Sequence, residues 1–251
     1  MAKKRLDTLL VDQGFAESLE YARALIGVGR VLVNGQPGNK AGSLYAADCQ
    51  LELKEKQPYV SRGGKKLAAG LEAFGIEPDG LICADIGCST GGFTDCLLQR
   101  GAKKVYSVDV GYGVLDWKLR NDDRVVVLER VNARFLTREQ IPESIDLAVI
   151  DASFISLDLL LKPVCSLFDD DVVIVALVKP QFELPAKLVA RGGVVRDSTL
   201  HDKALDKVKG FASAVGLSCV GIVKSPIQGA KGNQEFLMHL RSTKNIVEDN
   251  T

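Results

Sequence analysis

Net charge is the first thing this 251-residue sequence lacks: 32 Lys+Arg balance 32 Asp+Glu, and the pI is about 6.7. Dedicated nucleic-acid binders are commonly basic overall, so any surface that meets nucleic acid here must be a local one. Long apolar runs are also missing. The longest, residues 172–178, falls far short of the ~18 residues that span a bilayer. The six cysteines (Cys49, Cys83, Cys88, Cys96, Cys165, Cys219) contain no C-x-x-C pair and no metal-like spacing. Without a signal peptide they are expected to be reduced, mostly buried thiols of a cytoplasmic protein. His201 and His239 have no partner pattern, so neither a metal site nor a Ser–His–Asp triad is expected. No G-K-[ST] phosphate loop occurs, and a G-x-G-x-x-G fingerprint fails at Ser89, where a glycine is required.

What is present centres on residues 81–94, L-I-C-A-D-I-G-C-S-T-G-G-F-T. The short apolar run suits a buried parallel strand ending near Asp85. A glycine-rich turn follows, then a helix starting near Phe93 with Leu97 and Leu98 facing inward. Strand, turn and helix make the ligand-binding corner of a doubly wound α/β fold, where backbone N–H groups at the helix start favour polar or anionic groups. Asp85 followed by G-x-S-T-G-G-F resembles the cofactor corner of S-adenosylmethionine (SAM) methyltransferases, the FtsJ-type ribose 2′-O-methyltransferases in particular. That resemblance implies that Asp85, Gly87, Ser89, Thr90, Gly91, Gly92 and Phe93 wrap SAM.

With 46% hydrophobic residues the chain can fill one sizeable core and a small extra domain. Further strands are expected over 104–110, 125–128, 145–150, 172–178, 217–222 and 235–240, with helices over 157–167 and 200–215. Right-handed crossovers then line up the ends of the first five strands along one rim. An acid at the end of the second strand binds ribose hydroxyls in such folds, which selects Asp109. Asn132 and Ala133 are candidates to border the adenine.

Residues 1–57 read differently. Leu6, Leu9 and Leu10 mark a short helix stopped by Gly14. Ser18 caps a second, bearing Ala22, Leu25 and Ile26, and R-V-L-V-N-G at 30–35 starts a hairpin through an Asn-Gly turn. A strand around 50–53 completes a small sheet. The order of these pieces resembles the RNA-binding module named after ribosomal protein S-four. Lys3, Lys4, Arg5, Arg23 and Arg30 are the candidate phosphate contacts, provided they share one face. Interleaved acids (Asp7, Asp12, Glu17, Glu20) leave solvated charge as the alternative.

Residues 56–66 carry Pro and Gly punctuation and no acid, and read as a linker over 58–66 ahead of a domain over 67–251. Ser61 is a cap for a helix over 62–74 with Leu67, Leu71 and Phe74 inward. Y-V-S-R-G-G-K-K-L at 59–67 resembles the TlyA family, which joins this RNA-binding module to an FtsJ-like methyltransferase. Arg62 and Lys65 extend the candidate RNA contacts. The resemblance implies a catalytic tetrad of Lys66, Asp151, Lys179 and Glu235, in S-R-G-G-K-K-L, D-A-S-F-I-S-L, V-K-P-Q-F-E and K-G-N-Q-E-F-L. A ribose hydroxyl is a poor nucleophile until deprotonated, and a lysine serves as base when desolvation or a nearby cation lowers its pKa from about 10.4. Lys179 is the expected base, oriented by Asp151, with Lys66 and Glu235 positioning the hydroxyl.

The TlyA resemblance spans nearly the whole chain. It implies a SAM-dependent enzyme that methylates cytidine ribose in ribosomal RNA, with rRNA or ribosomal subunits as partner, no metal and no membrane. Some TlyA members carry a haemolysin label, but a membrane-acting haemolysin needs an insertion segment, and none is found. A non-catalytic RNA-binding protein with a vestigial second domain is the other alternative, and the complete tetrad opposes it. Residues 184–199, with Gly192 and Gly193, are either a loop closing over substrate or a solvated connection. The polar tail 242–251 is expected to fray.

Overall fold

The computed structural model describes residues 3–54 and 57–242. The chain divides into two compact units, Met1–Gln57 and Pro58–Thr251.

In the first unit β1 (Lys3–Arg5) runs into α1 (Leu6–Asp12), followed by α2 (Leu19–Gly27), β2 (Val31–Val33), β3 (Gln36–Pro37), β4 (Leu44–Ala46) and β5 (Leu51–Leu53). The Ser18 hydroxyl accepts from the Tyr21 N–H and so caps α2. Asn34 and Gly35 both have positive φ, 49° and 75°, as a tight hairpin turn requires. β2 pairs with β3 and β5, while β1 pairs antiparallel with β4. That β1 strand was not expected, because three consecutive cations show no apolar alternation. The helices bury Leu6, Leu9, Leu10, Leu25 and Ile26 against Val31, Val33 and Leu51.

The second unit opens with α3 (Gly63–Phe74) and then alternates: β6 (Ile82–Ile86), α4 (Gly92–Gln99), β7 (Lys104–Asp109), α5 (Trp117–Arg120), β8 (Val125–Glu129), β9 (Leu147–Ile150), α6 (Asp158–Cys165), β10 (Val173–Val178), α7 (Pro180–Glu183), α8 (Ser198–Ala214), β11 (Leu217–Lys224) and β12 (Phe236–Ser242). One seven-stranded sheet has the order β11-β12-β10-β9-β6-β7-β8. Every neighbouring pair from β10 to β8 is parallel, and β12 alone runs against its neighbours. This is the expected α/β class, a doubly wound sheet. Side chains alternate along each strand: Ala84, Ile86, Val108, Ile150 and Ala176 face a core with α6 and α8, whereas Cys83, Val105, Val149 and Val175 face α3 and α4.

Some local expectations shift. Ser61 stands one residue ahead of the helix N-cap, Arg62, and its hydroxyl accepts from the Gly63 N–H at 3.3 Å. Phe74 is only partly buried. Of the expected tail, Ser242 closes β12 and 243–251 lie outside the described residues. Segment 184–199 is neither open nor featureless. Leu184 and Val195 pack on Ala204 of α8, and Asn233 fixes the segment by accepting from the Val195 N–H and donating to the Gly193 carbonyl.

Candidate active site

The strand order reverses between β6 and β9, so the helices after them leave on opposite faces and a crevice opens beyond their C-terminal ends. β6 ends in the glycine turn. Gly87 has φ +83°, and a Cβ there would stand 2.9 Å from the Asp151 carbonyl oxygen, so only glycine lets the two loops approach this closely. The Gly87 and Cys88 N–H groups bond the Val108 carbonyl, tying the turn to β7.

Two cavities meet there. One, of about 230 Å³, is lined by residues including Ser61, Arg62, Lys66, Asp85, Thr90 and Phe93. The other, of about 300 Å³, is lined by residues including Asp109, Asn132, Ala133, Ser153 and Phe154. Gly87, Ser89 and Asp151 border both. Gly92 lines the first cavity. Gly91 lines neither: its φ is +93°, and a Cβ would strike the Leu115 and Leu119 side chains, so it is a packing glycine beneath the turn.

Asp85 is fully buried. Its Oδ2 accepts from the Thr94 N–H at 2.8 Å and from the Thr94 hydroxyl at 2.7 Å. That hydroxyl has spent its proton, so the Ser107 hydroxyl donates to it in turn, at 2.8 Å. Asp85 Oδ1 is buried without a partner. Burial pushes the carboxyl up to about 7, with further upward pressure from Asp151 and Asp109 and opposition from the Thr94 bonds. Three carboxylates at adjacent strand ends and one unmatched acceptor suit a cationic ligand. Asp109 accepts from the Ser89 N–H at 2.8 Å and the Gly111 N–H at 2.7 Å, which sets its carboxylate across the second cavity's rim.

The four residues of the expected tetrad form two ion pairs, each with one buried member, Lys179 and Glu235. Lys179 follows β10 and Asp151 follows β9; Nζ meets Asp151 Oδ1 at 2.5 Å, with side chains 8% and 22% exposed. The Lys179 ammonium also donates to the Ala152 carbonyl at 3.0 Å and the Ser153 hydroxyl at 2.9 Å. The antiparallel register sets Phe236 opposite Val178, so Glu235 stands just ahead of β12 rather than within it, on the same rim as Lys179. Lys66 reaches it from the first turn of α3, with Nζ 2.5 Å from Glu235 Oε2. A Cβ at Gly229 would fall 1.9 Å from Glu235 Oε1, so glycine is needed there as well.

In the first unit, Arg5 and Arg23 converge on the fully buried Asp7, at 2.7 and 3.0 Å. Alternation along β1 turns Lys4 away from Arg5, and it pairs instead with Asp12 at 2.5 Å. The basic residues therefore do not all share one face. Arg30 bonds the Lys54 carbonyl through Nε, and Lys3 is exposed. In the second unit Arg62 is exposed and Lys65 half-buried. Sequence reasoning missed Ser153 and Glu183. Both lie inside motifs already quoted, but neither has a spacing that marks it.

The doubly wound sheet with its single reversed strand and glycine corner is the fold of a Rossmann-like methyltransferase. At 15% identity it superposes on an S-adenosylmethionine dependent methyltransferase from Mesorhizobium loti with a TM-score of 0.51, over 69% of this chain and 96% of that one. Residues 59–242 match the FtsJ-like methyltransferase family and residues 4–45 the S4 domain. The chain belongs to the FtsJ-like methyltransferase family and, within it, groups with the TlyA proteins. The 16S/23S rRNA (cytidine-2′-O)-methyltransferase TlyA of Mycobacterium tuberculosis is 45% identical over 96% of this chain and 91% of its own length. A solved hemolysin-named protein of Streptococcus thermophilus is 45% identical, with a TM-score of 0.75 over 97% of this chain and 90% of that one. Among the described residues, no helix is long and apolar enough to cross a membrane.

Proposed function

We propose that this protein transfers a methyl group from SAM to the 2′-hydroxyl of a cytidine in ribosomal RNA. The observation that carries this is the placement of two Lys–carboxylate pairs, Lys179–Asp151 and Lys66–Glu235, at the rim that holds the switch-point cavities, with Asp151 and Lys66 lining the first of them. The naming of the Mycobacterium tuberculosis relative supports the substrate. A ribosomal substrate also implies a cytoplasmic location.

The residues present fit SAM. The unmatched Oδ1 of Asp85 suits its ammonium group, Gly87, Ser89, Thr90, Gly92 and Phe93 of the turn line the first cavity, and Asp109, Asn132 and Ala133 line the second, where the ribose and adenine would sit. Bound there, SAM supplies an electrophilic methyl group. Lys179 takes the proton from the 2′-hydroxyl, which requires its nitrogen as a neutral amine. Asp151, whose Oδ1 lies 2.5 Å from Lys179 Nζ, orients that nitrogen. Lys66 and Glu235 orient the hydroxyl through a fixed donor and acceptor. Arg5 and Arg23, preset by Asp7, contact phosphates together with Lys3 and Arg30, while Lys4 stays with Asp12; Arg62 at the cavity rim and Lys65 on α3 add further contacts.

Radiolabelled SAM incubated with ribosomal subunits and with bare rRNA tests this. Label should appear on a cytidine ribose with the wild type and be absent with Lys179→Ala, which should still bind SAM. Label on a base, or turnover retained by Lys179→Ala, overturns the assignment.

A further inference from the structure

Glu183 is a buried carboxylate for which the reaction above has no use. It is 2% exposed at the end of α7, and burial raises its pKa. Isolated burial of a carboxylate is costly, so its partners matter. Oε2 accepts from the Ser156 hydroxyl at 2.7 Å, and Oε1 accepts from the Leu157 N–H at 3.0 Å. Both donors end the loop 151–157, and the Leu157 N–H lies at the start of α6, where a negative charge is favourable. The same loop supplies the four oxygens around Lys179 Nζ: the Asp151 carboxylate, the Asp151 and Ala152 carbonyls and the Ser153 hydroxyl. Glu183 stands four residues after Lys179, so the two connections run between the same pair of segments, one at each end. Between them the Phe154 and Phe182 rings meet at 5.0 Å. Phe154 has φ +62°, a strained value for a bulky residue that persists only where the surroundings enforce it. From the far side, Lys207 of α8 donates to the Glu183 carbonyl at 2.6 Å, which anchors the latch to the body of the domain.

The geometry points to Glu183 as a positioning residue: we infer that it latches the 151–157 loop so that Asp151 and Ser153 hold Lys179 Nζ at the cavity. This rests on the methyl-transfer reading above, with Lys179 as the base. A latch of this kind acts on the rate of the chemical step. Sub-ångström to 1 Å displacement of a reacting group costs up to about a hundredfold in rate.

The test uses the full-length chain with Glu183→Ala, Glu183→Gln and Ser156→Ala, the last removing one latch bond while leaving the carboxylate in place. Two readouts are taken well below each variant's Tm: hydrogen exchange across 151–157, and kcat and KM for rRNA methylation at saturating SAM. Expected are faster exchange confined to 151–157 and its neighbours, and a kcat lowered about tenfold or more in Glu183→Ala with KM for RNA little changed. Glu183→Gln, whose amide oxygen still accepts one bond, and Ser156→Ala should fall between. A residue that only stabilises the fold would lower Tm and leave kcat at saturation intact; that result, or unchanged exchange in the loop, overturns the inference. If the wild type methylates no RNA while the loop still loosens in the variants, the substrate assignment fails and the latch stands.

Discussion

Lys66 and Glu235 are 169 positions apart in the chain, yet their Nζ and Oε2 atoms meet at 2.5 Å with only 11% and 3% of the side chains exposed. Such a pair has little value for stability while intact, because desolvation offsets attraction, but removing one partner strands a buried charge. Glu235→Ala should therefore cost about 3–5 kcal/mol, measured by urea unfolding. The double variant Lys66→Met/Glu235→Leu should recover most of that loss. Methyl transfer should be lost in both, which separates the catalytic role from the structural one. A double variant as unstable as the single one would contradict this.

The raised carboxyl of Asp85 gives stability an unusual pH dependence. Its folded value, about 7, lies above its unfolded value of about 3.8, so between those limits the folded state binds the proton more tightly. Stability from this group is full below about pH 4, declines as pH rises to 7 and is level beyond. The full loss is on the order of 4 kcal/mol. Unfolding midpoints at pH 5 and 8 for wild type and Asp85→Asn check it: the variant should gain relative to wild type as pH rises. SAM affinity should rise with pH up to about 7, since its ammonium pairs with the ionised form. An affinity flat from pH 5.5 to 7 would sink that pairing.

In the first unit, Asp7 holds two guanidinium groups with one carboxylate, and the Arg5 bond, with help from Arg23, keeps its pKa well below the usual range. Asp7→Asn should release both arginines. RNA affinity should fall about tenfold, and the dependence of log K on log salt should flatten by one to two units as phosphate contacts are lost. Filter binding across a salt series measures both. An unchanged slope would remove Arg5 and Arg23 from the phosphate contacts.

Gly87→Ala meets two obstacles: a positive φ and the Asp151 carbonyl 2.9 Å from the new Cβ. It should destabilise the fold by about 1–3 kcal/mol and, by pushing the Asp151 loop away, abolish SAM binding in calorimetry. Gly113→Ala, also at positive φ but with open space around it, should incur the backbone strain alone and keep SAM binding.

The parts of this molecule that were legible in the sequence are those written locally. β6, the turn and α4 follow from a short apolar run, glycines and a helical repeat within one stretch, and the sheet class follows from repetition of that pattern. The asparagine–glycine turn at 34–35 and the serine cap of α2 are equally local. The partners of the charged residues were not legible. That Lys66 pairs with Glu235 depends on β12 lying antiparallel beside β10, a choice made by the whole sheet. That Lys4 leaves its neighbours for Asp12, and that β1 is a strand at all, depends on β4, over forty residues away. Gly91 looked like a ligand-facing glycine because the turn motif treats its glycines alike, whereas Leu115 and Leu119 decide what Gly91 faces.

The placement of β12 also bears on when the enzyme can begin to work during its own synthesis. Ribosomes add about 5–20 residues per second, and β12, the last strand among the described residues, sits inside the sheet between β10 and β11. Until residues 236–242 emerge, β11 has no neighbour to pair with and Lys66 has no carboxylate to meet. On the function proposed above, the nascent polypeptide should be inactive until then. A product cut short before β12 keeps the glycine corner and the S4 domain but lacks the partner of Lys66, and on the function proposed above it should transfer no methyl group.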